Sequence, residues 1–195
     1  MMNEVLNPQQ ITKEAQSAYK AGDYVAAAQS FEAARQGYLS ANDLVMAAEM
    51  ANNVSVALLQ AGDAQRALEA VEGTDIVFKE AGERKRQAMA LGNRAAALEA
   101  LKRSEEAEQA YWQSAEILKD LDEKDLRLSV MQSISALQLR TGKQFQAVAT
   151  MHSGMENLEK PTPKQRFLKR LLSIPMNLLN KQQVSELEDG NDHNS

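Results

Sequence analysis

Residues able to do covalent or metal chemistry are sparse in this chain. Cysteine is absent, which removes disulfides, thiolate metal ligands, iron–sulfur clusters and thiol nucleophiles together. The two histidines, His152 and His193, are the only imidazoles. Neither belongs to a His-Glu-x-x-His pair, and there is no phosphate-binding glycine loop and no Gly-x-Ser-x-Gly elbow. A general base needs a positioned partner; His152 beside Met151 reads instead as solvated or partly packed, and His193 stands in a polar tail. Among the acids, Glu105-Glu106-Glu108 open a helix, where carboxylates complement the dipole. Asp120, Asp122, Glu123 and Asp125 flank a helix junction and lack the glycine-centred loop of a calcium site. Methionines such as Met131 and Met151 fall at core positions, and Trp112 reads either as packed between units or as an exposed anchor. The expectation is a chain that is not an enzyme and carries no cofactor or metal.

Composition says what must hold any other kind of site. The chain has 195 residues with 44% hydrophobic but only 5% aromatic side chains, 9 glycines and 4 prolines. Alanine dominates the apolar fraction, and alanine is the best helix former, so an all-α chain is expected. A net charge of −5 argues against general nucleic-acid binding. No stretch is apolar over the length a bilayer requires, and the start Met1-Met2-Asn3-Glu4-Val5 lacks the layout of a secretory signal. A cytoplasmic location is the expectation.

A 40-residue period organises the sequence. Ala27, Ala67, Ala107 and Ala147 mark it. Ahead of them stand the small residues Ala15, Ser55, Ala95 and Ser135. After them come the large Phe31, Val71, Tyr111 and Met151, then the small Ala34, Thr74, Ser114 and Gly154, then the large Tyr38, Phe78, Leu118 and Leu158. Gly22-Asp23, Gly62-Asp63, Lys102-Arg103-Ser104 and Gly142-Lys143 punctuate each unit once. Asn42-Asp43, Gly82-Glu83, Asp122-Glu123 and Thr162-Pro163 punctuate it again. Glycine supplies the left-handed residue that ends a helix, and Asp23, Asp63 or Ser104 can cap the next. Each unit therefore reads as two antiparallel helices, A and B, of about four turns each. Small residues let backbones approach, large ones fill the gap to the next pair, and a unit unable to bury both faces alone must stack on its neighbours.

The frame resembles the tetratricopeptide repeat (TPR) in its longer form. Ala15, Gly22, Tyr24, Ala27, Phe31 and Ala34 match that family's small–Gly–Tyr–Ala–aromatic–Ala signature. Ala51-Asn52-Asn53-Val54 followed by Gly62-Asp63 is similar to helix A of kinesin light chains, and Leu91-Gly92-Asn93-Arg94 to the repeats of G-protein-signalling modulators. Glu14 and Arg94 depart from the pattern at a usually apolar position, and the proline after helix B is missing from the first three units. The resemblance implies a right-handed α-α superhelix of four helical hairpins plus a C-terminal capping helix. Its bounds are an extension over 1–7 and a domain over 8–181, with repeats 8–41, 42–81, 82–121 and 122–160, the cap at 164–180, and an acidic disordered tail over 182–195.

In that family helices A line a concave groove. The resemblance carries the groove positions over as Gln9, Thr12, Lys13, Gln16 and Tyr19; Glu49, Asn52, Asn53, Val56 and Gln60; Met89, Asn93, Ala96 and Glu99; and Gln132, Ser133, Ala136 and Arg140. Asn53 and Asn93 share one register with Lys13 and Ser133. An asparagine offers donor and acceptor to a peptide backbone, yet the same amides equally suit hydrogen bonds between neighbouring helices. The carboxylate clamp for chaperone tails matches poorly, since only the central asparagine agrees. The expected function is a protein–protein interaction scaffold that binds a peptide or helical segment of a partner in the groove. The alternative is a self-assembling structural protein, a homo-oligomer or membrane-surface binder, using its end faces or the basic amphipathic stretch from Lys160 to Lys181.

Overall fold

A computed structural model describes residues 7–155 together with 162, 163 and 166. All regular secondary structure among the described residues is helical. The chain divides into two compact units, Met1–Glu123 and Lys124–Ser195. The first unit contains α1 (Pro8–Lys20), α2 (Tyr24–Ser40), α3 (Leu44–Gln60), α4 (Ala64–Val71), α5 (Thr74–Glu80), α6 (Arg84–Ala100) and α7 (Ser104–Asp120). The second contains α8 (Lys124–Arg140) and α9 (Gln144–Met155). The proposed cap at 164–180 lies almost wholly outside the described residues, and the tail lies entirely outside them.

Every junction but the one between α4 and α5 is made the same way. The backbone turns through positive φ at Gly22, Asn42, Gly62, Gly82, Lys102, Asp122 and Gly142, one such residue every 20 positions. In each, the amide of this residue and of the next reach back to carbonyls of the outgoing helix, as in Gly22 N to Tyr19 O and Asp23 N to Ala18 O, both at 3.0 Å. Those bonds satisfy carbonyls that the helix end leaves open. The incoming helix is then capped by aspartate where one is present: Asp23, Asp43 and Asp63 accept from the amides of Ala26, Met46 and Arg66. Ser104 does not act as a cap. It is the first helical residue of α7, and Arg103 holds the cap position without a side-chain bond.

One expected helix is divided in two. The second helix B stops at Val71, resumes at Thr74, and has Glu72 extended at ψ 130° and Gly73 left-handed at φ 76° between them. Glycine reaches that conformation without a Cβ penalty. The Thr74 hydroxyl donates to Val71 O at 2.8 Å, satisfying a carbonyl that the interrupted ladder abandons. The periodic pattern of large and small residues continues across the break, so Val71, Thr74 and Phe78 are still buried.

Burial follows the frame. The four period-marking alanines, Ala27, Ala67, Ala107 and Ala147, are each 0% exposed. Phe31, Val71 and Tyr111 are buried, whereas Met151 is half-buried, as are His152 and Trp112. In the first unit Phe31 and Tyr38 of α2 join Met50, Val54 and Leu58 of α3 in one core. At about 25 cal/mol per Å2 of apolar area, burying such side chains is what holds hairpin to hairpin, because alanine-rich helices offer little area of their own. In the second unit Ser135 Oγ donates to Ala147 O at 2.8 Å, and Thr150 Oγ1 to Gln138 Oε1 at 2.9 Å. These bonds pair the polar atoms that α8 and α9 bury against each other.

Candidate functional site

Helices α1, α3 and α6 are the A helices of the first unit, and their shared side is where the groove positions fall. A helix advances about 100° per residue, so adjacent residues of α3 serve different neighbours. Glu49 and Asn52 turn towards α6. Asn52 is buried, its Nδ2 donates to Ala48 O at 3.0 Å, and its Oδ1 accepts from Asn93 Nδ2 at 3.1 Å. One turn away, Arg86 Nη2 lies 3.1 Å from Glu49 Oε2, an ion pair whose geometry is not aligned as a hydrogen bond. Both links tie α3 to α6.

Asn53 turns the other way. With Val56 of α3, Gln16, Tyr19 and Lys20 of α1, and Phe31 of α2, it lines a cavity of about 220 Å3 between α1 and α3. Above it the Thr12 hydroxyl lies 3.3 Å from Met50 Sδ. The A side of this unit is thus linked between α3 and α6 by an amide pair and an ion pair, while between α1 and α3 the Thr12–Met50 bond leaves the cavity open beside it.

The structure brings together four of the expected groove residues, Gln16, Tyr19, Asn53 and Val56, around one cavity. Lys13 is exposed one turn before Gln16 on α1, and Met89 is 53% exposed on α6. Asn52 and Asn93 are engaged with each other, so the register that pairs Asn53 with Asn93 does not form a ladder of free amides. Gln132, Ser133 and Arg140 lie on α8 in the second unit; Gln132 and Arg140 are exposed, and Ser133 Oγ lies 3.4 Å from Ser129 O. Lys20 and Phe31 were not among the groove positions the sequence indicated. Phe31 was legible only as a core residue, and Lys20 only as a basic residue that, with Lys13, could attract an acidic segment.

A larger cleft, about 610 Å3, opens on the helix B side between α2 and α4, floored by Val54 and Leu58 of α3. Its two arginines are paired, Arg35 with Glu32 at 3.1 Å and Arg66 with Asp63 at 3.5 Å, and its third acid, Glu69, accepts from Gln65 Nε2 at 2.8 Å. The smaller cavity differs in this respect, because its one lining cation, Lys20, has among the described residues no ion-pair or hydrogen-bond partner for its ammonium group.

Among the described residues no group of three or more histidine, aspartate or glutamate side chains converges as a metal site, and no helix is long and apolar enough to cross a membrane. Arg103 and Glu106, an exposed pair, shift each other's titration. Arg103 Nη2 and Nε reach the Glu106 carboxylate at 2.6 and 2.7 Å. Their hydrogen bonds hold Glu106 below the usual glutamate range and raise Arg103.

No protein-family model matches the chain, and no curated protein does. Solved structures do. The apo form of RapI superposes with a TM-score of 0.71 at 15% identity over 79% of this chain and 56% of that one. This chain therefore spans little more than half of RapI's length. A Podosopora anserina protein described as a kinesin light chain with nearly identical TPR-like repeats gives a TM-score of 0.70 at 14% identity, covering 96% of this chain and 94% of that one. The fold is a TPR-like all-α solenoid.

Proposed function

We propose that the chain is a non-enzymatic interaction scaffold, and that a peptide or helical segment of a protein partner lies along the side formed by its A helices. The observation that carries this reading is the cavity between α1 and α3, which Gln16, Tyr19, Asn53 and Val56 line. Its lining combines apolar surface from Phe31 and Val56 with amide donors and acceptors from Gln16 and Asn53. A preformed pocket with a few convergent polar groups is the usual form of a binding site. Amides that are already paired, as Asn52 and Asn93 are, can frame such a site without touching the ligand. The likeness in fold to RapI and to the kinesin light chain repeats supports a repeat scaffold and leaves the partner to be found.

The test is selection of a random-peptide display library on the full-length chain. Enriched peptides are then titrated against Val56→Arg and Asn53→Ala, with circular dichroism as the control for folding. The reading requires that Val56→Arg abolish binding while helicity is unchanged. Peptides that bind both variants as they bind the parent would place the site elsewhere, and Arg66→Glu on the rim of the α2–α4 cleft is the control that locates it.

A further inference from the structure

We infer that the break at Glu72-Gly73 is a two-state hinge. The second helix B also takes the continuous form of α2 and α7, and the two forms differ in which side chain holds the Ala48 carbonyl of α3. The inference stands whether or not a peptide lies on the A side.

Both forms suit the same residues. In the unbroken α2 the buried registers are Phe31, Ala34 and Tyr38, and in the unbroken α7 they are Tyr111, Ser114 and Leu118. Val71, Thr74 and Phe78 hold those three registers and are buried across the break. Spacings of three and four put all of them on one face of a continuous helix, so straightening keeps the same set inside. Nothing packs into the kink to lock it: Glu72 is exposed, and a Cβ on Gly73 would meet no atom within 4 Å. Two things hold the break. Glycine at φ 76° sits where most other residues are penalised, and the Thr74 hydroxyl donates to Val71 O.

One hydrogen bond distinguishes the forms. In unbroken α7, Ser114 Oγ donates across to Ala88 O of α6 at 2.7 Å. Thr74 and Ala48 are the matching residues one repeat earlier. There the hydroxyl turns back onto its own helix, and Ala48 O accepts from Asn52 Nδ2 at 3.0 Å instead. In the third repeat the residue matching Asn52 is Gly92, with no side chain to compete. A carbonyl oxygen has two lone pairs, and inside a helix one serves the amide four residues on. The other takes either Thr74 or Asn52. Straightening helix B therefore gives Ala48 O to Thr74 and releases the Asn52 amide, whose Oδ1 accepts from Asn93 Nδ2. The hinge on the B side is thus coupled to the α3–α6 link on the A side through two discrete hydrogen-bond arrangements. A partner that shifts α6 against α3 biases the same equilibrium.

NMR of the full-length chain tests this. Gly73→Ala penalises the positive φ and favours helix, moving the ratio of forms towards the continuous one by about tenfold or more. Amide–amide NOEs are then expected to run unbroken from Val71 to Asp75, and solvent exchange of the Asn52 side-chain amide to speed up by about threefold or more. Gly73→Asn, which tolerates positive φ, keeps the parent pattern. Adding Thr74→Val to Gly73→Ala removes the competing hydroxyl and returns the Asn52 amide to its parent rate while helix B stays continuous. The parent chain gives a readout that needs no variant to fold: relaxation dispersion over residues 72–75 and at the Asn52 side-chain amide should share one exchange rate. A Gly73→Ala chain whose Glu72 stays extended, a continuous helix B with Asn52 exchange unchanged, or a parent lacking dispersion at either place would each overturn the hinge.

Discussion

Asn93 donates its side-chain amide to Asn52 at 3.1 Å, one residue away from Asn53, the position with which it shares the repeat register. Adjacent A helices meet at an offset, so the residue that faces the following helix is Asn52, and the one that faces the preceding helix is Asn53. Two neighbouring asparagines with identical chemistry are thereby divided into a framework amide and a cavity-lining amide.

Substitution should separate them. Asn93→Ala leaves the buried Asn52 Oδ1 without its donor and is expected to cost about 1–3 kcal/mol. Asn53→Ala removes a group that faces an open cavity and should change stability by less than about 0.5 kcal/mol. Urea unfolding of the two variants checks the difference; equal losses would refute the division of roles.

A second contrast compares one register in two repeats. Ser55 and Ser135 both occupy the close-approach position of helix A, where the other repeats have alanine. Ser135 Oγ bonds Ala147 O, whereas buried Ser55 Oγ has no partner. Ser135→Ala is expected to lose about 1 kcal/mol and Ser55→Ala to gain a similar amount, since an unpaired buried hydroxyl is a net cost. Denaturation midpoints that move the same way for both would contradict this.

Glycine to alanine substitution gives a third pair. A Cβ at Gly92, inside α6, would meet only Ser114 Oγ at 3.8 Å, while at Gly154 it would come within 2.9 Å of Met131 Cβ and 3.3 Å of Leu128 Cδ1. Gly92→Ala should stabilise by roughly 0.5–1 kcal/mol through helix propensity. Gly154→Ala should destabilise by about 1–3 kcal/mol through overpacking. Thermal melts followed by circular dichroism read both signs.

The last prediction concerns pH. Glu106 is held below the ordinary glutamate range, chiefly by its hydrogen bonds from Arg103. A carboxylate whose folded pKa is depressed contributes stability that is fully present above its unfolded value and is lost as pH falls through the folded one. Both groups are exposed, so the effect on global stability is small. It is directly visible as a low Glu106 titration midpoint by NMR, which Arg103→Ala should return to the ordinary glutamate value.

The period of the sequence determined which residues are small, which are large and where the chain must turn, because those choices are local and repeat every 40 positions. It therefore specified hairpin order, the buried alanines and an all-α solenoid. It could not reveal the break at Gly73: the pattern of large and small residues runs through that point unchanged, and a glycine inside a helical pattern is compatible with either outcome. Nor could it show that Asn93 meets Asn52, or that Lys20 and Phe31 close a cavity with Gln16, Asn53 and Val56. Those facts depend on the offset and angle at which neighbouring helices pack. Both are fixed by side-chain interdigitation across residues distant in the chain, so only the tertiary structure decides which amides are spent on the framework and which remain to meet a partner.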